Sequence, residues 1–114
     1  MSSTQSSTPT KPIQVTDQSD LTDATAEHRV VLVDFYADWC GPCKMMEPTI
    51  ESLASETDAA VVKIDVDAFR QLASQHGVQS VPTLLLFVDG ELVERQVGAL
   101  SEKQLASVIE KYTN

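Results

Sequence analysis

The chain carries two cysteines, Cys40 and Cys43, with only Gly41 and Pro42 between them. Two sulfurs at that spacing can supply half of a zinc site, close an inert bridge, or exchange electrons with another disulfide. A zinc site needs about four ligands. There is no second Cys pair, and His28 and His76 stand far apart in the sequence. An inert bridge over so short a loop removes little entropy from the unfolded chain, about 2 kcal/mol. Small secreted domains that depend on bridges also spread more cysteines along their length. Thiol–disulfide exchange fits the spacing better. If the pair opens a helix, Cys40 lies beside unpaired N–H groups and the positive end of the helix dipole, and both favour thiolate over thiol. Cys43, one turn on, is then close enough to attack a mixed disulfide formed at Cys40. Pro42 suits the first turn, where its missing N–H costs nothing.

That placement requires a strand before the pair and a helix after it. Val30 to Phe35 is β-branched and nearly all apolar, as a strand buried on both faces should be, which makes Asp34 conspicuous. After the pair, Cys43, Met46, Ile50, Leu53 and Ala54 trace one helical face. A helix from about Gly41 to Glu56 is predicted, kinked at Pro48. Upstream, Ile13 to Val15 alternates like a short edge strand, and Leu21, Ala24, Thr25 and His28 mark a helix ending near Arg29. Downstream, Ala60 to Asp65 reads as a third strand. Phe69, Leu72 and Ala73 mark a short helix that Gly77 would end. Both histidines read as helix-surface residues, His76 favouring the C-terminus of its helix.

Two further strands, Thr83 to Val88 and Glu91 to Val97, flank Asp89-Gly90, a strong two-residue hairpin signal. Ser101 and Gln104 have the spacing of a capping box. They open a last helix whose Leu105, Val108, Ile109 and Tyr112 share a face. The order β-α-β-α-β-α-β-β-α is that of an α/β fold. Its crossovers imply parallel pairing and its late hairpin adds antiparallel strands, so one mixed five-stranded sheet is flanked by four helices.

The 114 residues carry a formal net charge of −9. One domain of this length can bury a proper core. The acidic balance argues against a nucleic-acid binder, which needs a Lys/Arg excess to release counterions. The longest unbroken apolar run, Leu84 to Val88, is far shorter than a bilayer span. Residues 1–12 are rich in Ser and Thr with no apolar stretch, so they read as a disordered tail and not a secretory signal, and residues 13–114 as the domain. A cytoplasmic location is expected. The acidic excess fits a protein working in concentrated salt, where screening quiets self-repulsion, and equally fits an ordinary acidic protein.

The segment Val33 to Lys44 (VDFYADWCGPCK) resembles the thioredoxin family. So do Lys63-Ile-Asp65, Val81 to Phe87 (VPTLLLF), Asp89-Gly90 and Val97 to Leu100 (VGAL), all in register over about residues 13–112. The resemblance implies the thioredoxin fold and a protein-disulfide reductase without a bound cofactor, and nothing in the sequence demands more than a monomer. It implies disulfide-containing proteins as substrates and a thioredoxin reductase as electron donor. Cys40 would attack the substrate disulfide and Cys43 would resolve the complex. Asp34 matches the family's buried carboxylate and Lys63 the lysine near it. Burial should raise the Asp34 pKa toward the range suited to proton exchange with Cys43. Pro82 matches the family's cis-proline, which would present the Val81 backbone to an extended substrate segment. Trp39, Gly41, Pro42, Val66, Val81, Gly98 and Ala99 correspond to the apolar contact surface, with Trp39 beside an exposed nucleophile. Tyr36 and Ser80 depart from the family, which often has Trp and Gly there. The competing reading is a docking subunit of the same fold whose cysteines are incidental, and the metal reading comes last.

Overall fold

A computed structural model of the protein describes residues 8–113. Its elements are β1 (Ile13–Gln14), α1 (Asp20–Glu27), β2 (Val30–Tyr36), α2 (Gly41–Met45), α3 (Glu47–Glu56), β3 (Ala60–Asp65), α4 (Arg70–Gln75), β4 (Thr83–Val88), β5 (Glu91–Val97) and α5 (Glu102–Thr113). The five strands form one sheet in the order β1-β3-β2-β4-β5. β2 runs parallel to β3 and antiparallel to β4, so the sheet is mixed as expected. The tail reading falls outside the described residues for positions 1–7. Thr8 to Pro12 form neither helix nor strand.

Both faces of the sheet are covered, and the alternation of side chains along each strand decides what each face buries. Val31, Val33 and Phe35 pack with Leu21 and Ala24 of α1 and with Leu72 and Ala73 of α4. Val30 and Leu32 pack on the opposite face with Met46, Ile50 and Leu53, and with Leu105 and Ile109 of α5. Asp34 continues this second row at the end of the strand, where the apolar cover gives way. The sheet's core strands are buried on both sides, which is why their sequences read as continuous apolar runs.

The predicted single helix from Gly41 to Glu56 is two helices, so five helices flank the sheet instead of four. The interruption falls at Met46, two residues before Pro48. Pro48 has no N–H to offer the Lys44 carbonyl and its ring crowds that carbonyl, so the ladder breaks in the turn before it. Proline then occupies the first turn of α3, where no donor is missed. The first helix ends at Glu27, and His28 caps it by donating its N–H to Ala24 O at 2.9 Å.

The turn chemistry matches its expectation. Asp89 and Gly90 both have positive φ, 53° and 81°, as the hairpin requires. Gly77 ends α4 with φ of 69°. Gln104 N–H donates to Ser101 Oγ at 3.2 Å, while Ser101 N–H donates back to Gln104 Oε1 at 3.1 Å, closing the capping box.

One consequence of this topology governs the site. In the register of the sheet, Tyr36 lies beside Asp65, Phe35 opposite Thr83, and Thr83 opposite Val97. The C-terminal ends of β2, β3 and β5 and the start of β4 therefore share one edge. Four loops distant in sequence converge there. Among the described residues, no helix is long and apolar enough to cross a membrane.

Candidate active site

Cys40 and Cys43 are joined in a disulfide, with Cα atoms 5.3 Å apart. Cys40 is the N-cap of α2 in extended conformation, and its Sγ accepts a hydrogen bond from the Cys43 N–H at 3.2 Å. The sulfur that the sequence places at a helix start does receive one of the free N–H groups there. Such a contact stabilises a thiolate more than a thiol once the disulfide is reduced. Gly41 and Pro42 follow in the first turn, both exposed.

The sulfurs are less open than expected. Cys40 is 4% exposed in this disulfide state, because Ala37, Tyr36, Val66 and Val81 pack around the pair. Exposure lies instead on the neighbours, with Trp39 at 70% and Met45 at 83%. The Trp39 indole is held toward the loop after β3, its Nε1–H donating to Asp67 Oδ2 at 2.8 Å. Trp39, Val66 and Val81 share a groove of about 130 Å³ with Val78, Gln79 and Ser80.

The Val81–Pro82 peptide bond is cis. The Pro82 carbonyl accepts the Gly98 N–H at 2.8 Å, which ties the loop bearing Gly98 and Ala99 to the loop bearing Val81. Gly98 has φ of 95°, a conformation that favours glycine, so this residue type is required by the turn and not only by contact. Ser80 is exposed, and its carbonyl accepts from Thr83 Oγ1 at 2.7 Å. Its departure from the family thus places a side chain in the wall of the groove.

Behind Cys43 lies a second, much smaller space of about 20 Å³. Its walls are formed by Asp34 and Tyr36 from β2, Ala37 and Asp38 from the loop, Cys43 and Lys44 from α2, Glu47 from α3, and Lys63 from β3. A cavity of that size accommodates about one water. Asp34 is paired in register with Lys63 on one side and Leu84 on the other. Burial pushes its pKa up to about 6, the Lys63 ammonium pulls in the opposite direction, and Glu47 adds to the rise. Asp34 and Lys63 do not close into an ion pair. The one salt bridge among the described residues joins Arg29 to Asp89. Lys63 Nζ sits 4.7 Å from the centre of the Tyr36 ring instead, and the Tyr36 hydroxyl accepts from Gln14 Nε2 at 2.9 Å.

The histidines stand apart from this edge. His76 caps α4, its Nδ1 is 3.0 Å from Leu72 O, and its ring lies near those of Phe35 and Phe87, so it is half-buried and not a plain surface residue. Among the described residues, no group of three or more His, Cys, Asp or Glu is arranged to hold a metal ion.

Every residue singled out from the sequence for the site therefore falls at or just behind one edge of the sheet. Asp67, Glu47, Met45 and Val78 are among the surrounding residues that were not singled out. Only Glu47 carried a readable signal, standing four residues after Cys43 and so one turn further along the same helical face.

The family model described as Thioredoxin matches residues 12–111. A thioredoxin of Chlamydia muridarum is 46% identical over 101 residues, covering 88% of this chain and 98% of the relative. A thioredoxin of Mycobacterium bovis is 50% identical over 95 residues, covering 82% of each. Among solved structures, a mutant thioredoxin from Halobacterium salinarum superposes with a TM-score of 0.91 at 56% identity, covering 94% of this chain and 95% of that one. The thioredoxin of Schistosoma mansoni gives a TM-score of 0.83 at 34% identity, covering 92% and 98%.

Proposed function

The chain belongs to the thioredoxin family and is a thiol–disulfide oxidoreductase acting through Cys40 and Cys43, and on that ground we propose a division of labour within its site. Cys40, as thiolate, attacks one sulfur of a substrate protein's disulfide and expels the other as a thiolate. Cys43 then loses its proton and attacks Cys40 Sγ. The second substrate sulfur leaves, and the two electrons held by the dithiol have passed to the substrate. The observation that carries this order is the N-cap position of Cys40, whose sulfur accepts a helix N–H while Cys43 backs onto the cavity.

Asp34 is the group that takes the Cys43 proton, through one water in that cavity. With a pKa of about 6 it is mostly ionised at pH 7, ready to accept, yet basic enough to act there. Lys63 limits the rise that burial imposes. The groove between Trp39 and Val81 receives an extended substrate segment, which adds to the Val81 backbone as a short strand. Gly41, Pro42, Val66, Gly98 and Ala99 flank that segment, and the cis bond at Pro82 shapes the Val81 loop. A thioredoxin reductase returns the pair to the dithiol. The protein works in the cytoplasm as a monomer, where thiols are kept reduced.

The order of attack is tested by trapping. Reduced Cys43→Ser mixed with a model protein disulfide should accumulate a covalent complex on a non-reducing gel that dithiothreitol releases. Cys40→Ser should accumulate none. A complex formed by Cys40→Ser and not by Cys43→Ser would reverse the assignment.

A further inference from the structure

Asp34, Lys63 and Cys43 line the small cavity and have roles in the proposed reaction; Glu47 lines it too and has none. It is the first residue of α3, directly after the break at Met46. Glu47 is exposed to solvent and still forms part of the cavity wall. Its carboxylate has no ion-pair partner among the described residues.

Asp34 meets charge from several sides. Lys63 faces it from β3, though its ammonium is drawn aside over the Tyr36 ring. Asp38 from the loop and Lys44 from α2 complete the wall with one charge of each sign, and Tyr36 and Cys43 are the remaining titratable neighbours. Glu47 is the anion that opposes Lys63 at the buried carboxyl.

We propose that Glu47 is a positioning residue of the exchange reaction, acting through Asp34: it offsets Lys63 across the cavity and so keeps the Asp34 carboxyl serviceable as a proton carrier for Cys43. The proposal rests on the role given to Asp34 above. Without Glu47, Lys63 acts unopposed and Asp34 becomes a weaker base. It then accepts the Cys43 proton less readily at neutral pH. Glu47 opens α3 and lines the cavity, so its carboxylate acts on Asp34 from one side, reduced by the solvent it also faces.

The test compares the native chain with Glu47→Gln, Glu47→Lys and Asp34→Asn. The Asp34 titration is followed by carboxyl carbon NMR in the disulfide form. The pH dependence of the resolving step is followed by release of substrate thiol from a preformed mixed disulfide. Glu47→Gln should lower the Asp34 midpoint by about 0.3 to 0.5 on the pH scale, and Glu47→Lys by roughly twice that, because the local charge changes by one and by two. The acidic limb of the resolving step should move down with it, and the melting temperature at pH 7 should hold or rise, where a merely structural role for Glu47 would make it fall. A midpoint that stays in place in both Glu47 variants, while Asp34→Asn abolishes the limb, overturns the Glu47 assignment alone. A limb that survives Asp34→Asn overturns the underlying role of Asp34, and this inference with it.

Discussion

A carboxyl that titrates at about 6 is mostly ionised at pH 7, and Asp34 holds that charge at 4% exposure within a sheet. The sign of its contribution to stability follows from linkage. In the unfolded chain the group titrates near 3.8, so between roughly pH 4 and pH 6 the folded state keeps a proton that the unfolded state has lost. Stability falls as pH rises through that window and levels off above it. A rise from 3.8 to about 6 costs the folded state about 3 kcal/mol at pH 7. Asp34→Asn, which keeps the shape and removes the charge, should therefore be more stable than the native protein at pH 7 by about that much. The difference should vanish by about pH 4. Denaturant midpoints at the two pH values check this, and a variant no more stable at pH 7 would contradict the buried-charge account. Asp34 was legible because a lone carboxylate interrupts an apolar strand. Glu47 was legible only in part: its spacing from Cys43 puts it on that helical face, but an acidic residue there is ordinary until the neighbouring strand shows what it faces. Asp67 was hidden for a related reason: its bond to Trp39 joins residues 28 apart in sequence, and no local pattern encodes it.

At the level of elements, the parts with a local cause were readable. The hairpin at Asp89-Gly90, the capping box at Ser101 and the end of α4 at Gly77 each rest on the conformational needs of one or two residues. The interruption at Met46 shows where such reasoning falls short. A proline inside an apolar period implies a disturbance, but whether the helix bends or breaks depends on what the flanking turns pack against. Here Met46 is buried against the sheet with Ile50 and Leu53. Its N–H is shared between the Pro42 and Cys43 carbonyls at 3.1 Å, so the break leaves that donor satisfied. The result is a five-residue helix holding the sulfurs and a separate ten-residue helix anchoring them to the core. Strand β1 is shorter than its pattern suggested, although Val15 extends its pairing by donating to Lys63 O at 2.9 Å. That bond anchors the strand position from which Lys63 faces Asp34.

For the whole molecule, strand order was the part the sequence left open. Alternating strands and helices imply parallel pairs, yet the placement of β1 beside β3 and of β4 beside β2 is a matter of packing. That order puts β2 at the centre and brings the ends of four strands to the sulfurs. The surface carries the remaining question of charge. A net −9 over 114 residues, with a single ion pair among the described residues, leaves most acids to repel one another. Raising the salt shortens the Debye length from about 10 Å at 0.1 M to about 3 Å at 1 M. The melting temperature should therefore climb from dilute buffer to concentrated KCl, as expected of a surface suited to brine. An unchanged or lower value would mark the charge as an ordinary solvated surface. The reductase function itself is tested most directly by turnover. In the presence of excess dithiothreitol, the native protein should accelerate reduction of a model protein disulfide well beyond the small dithiol alone, and folded Cys40→Ser should not. Equal rates with and without the folded native protein would contradict the account and leave a docking module in its place.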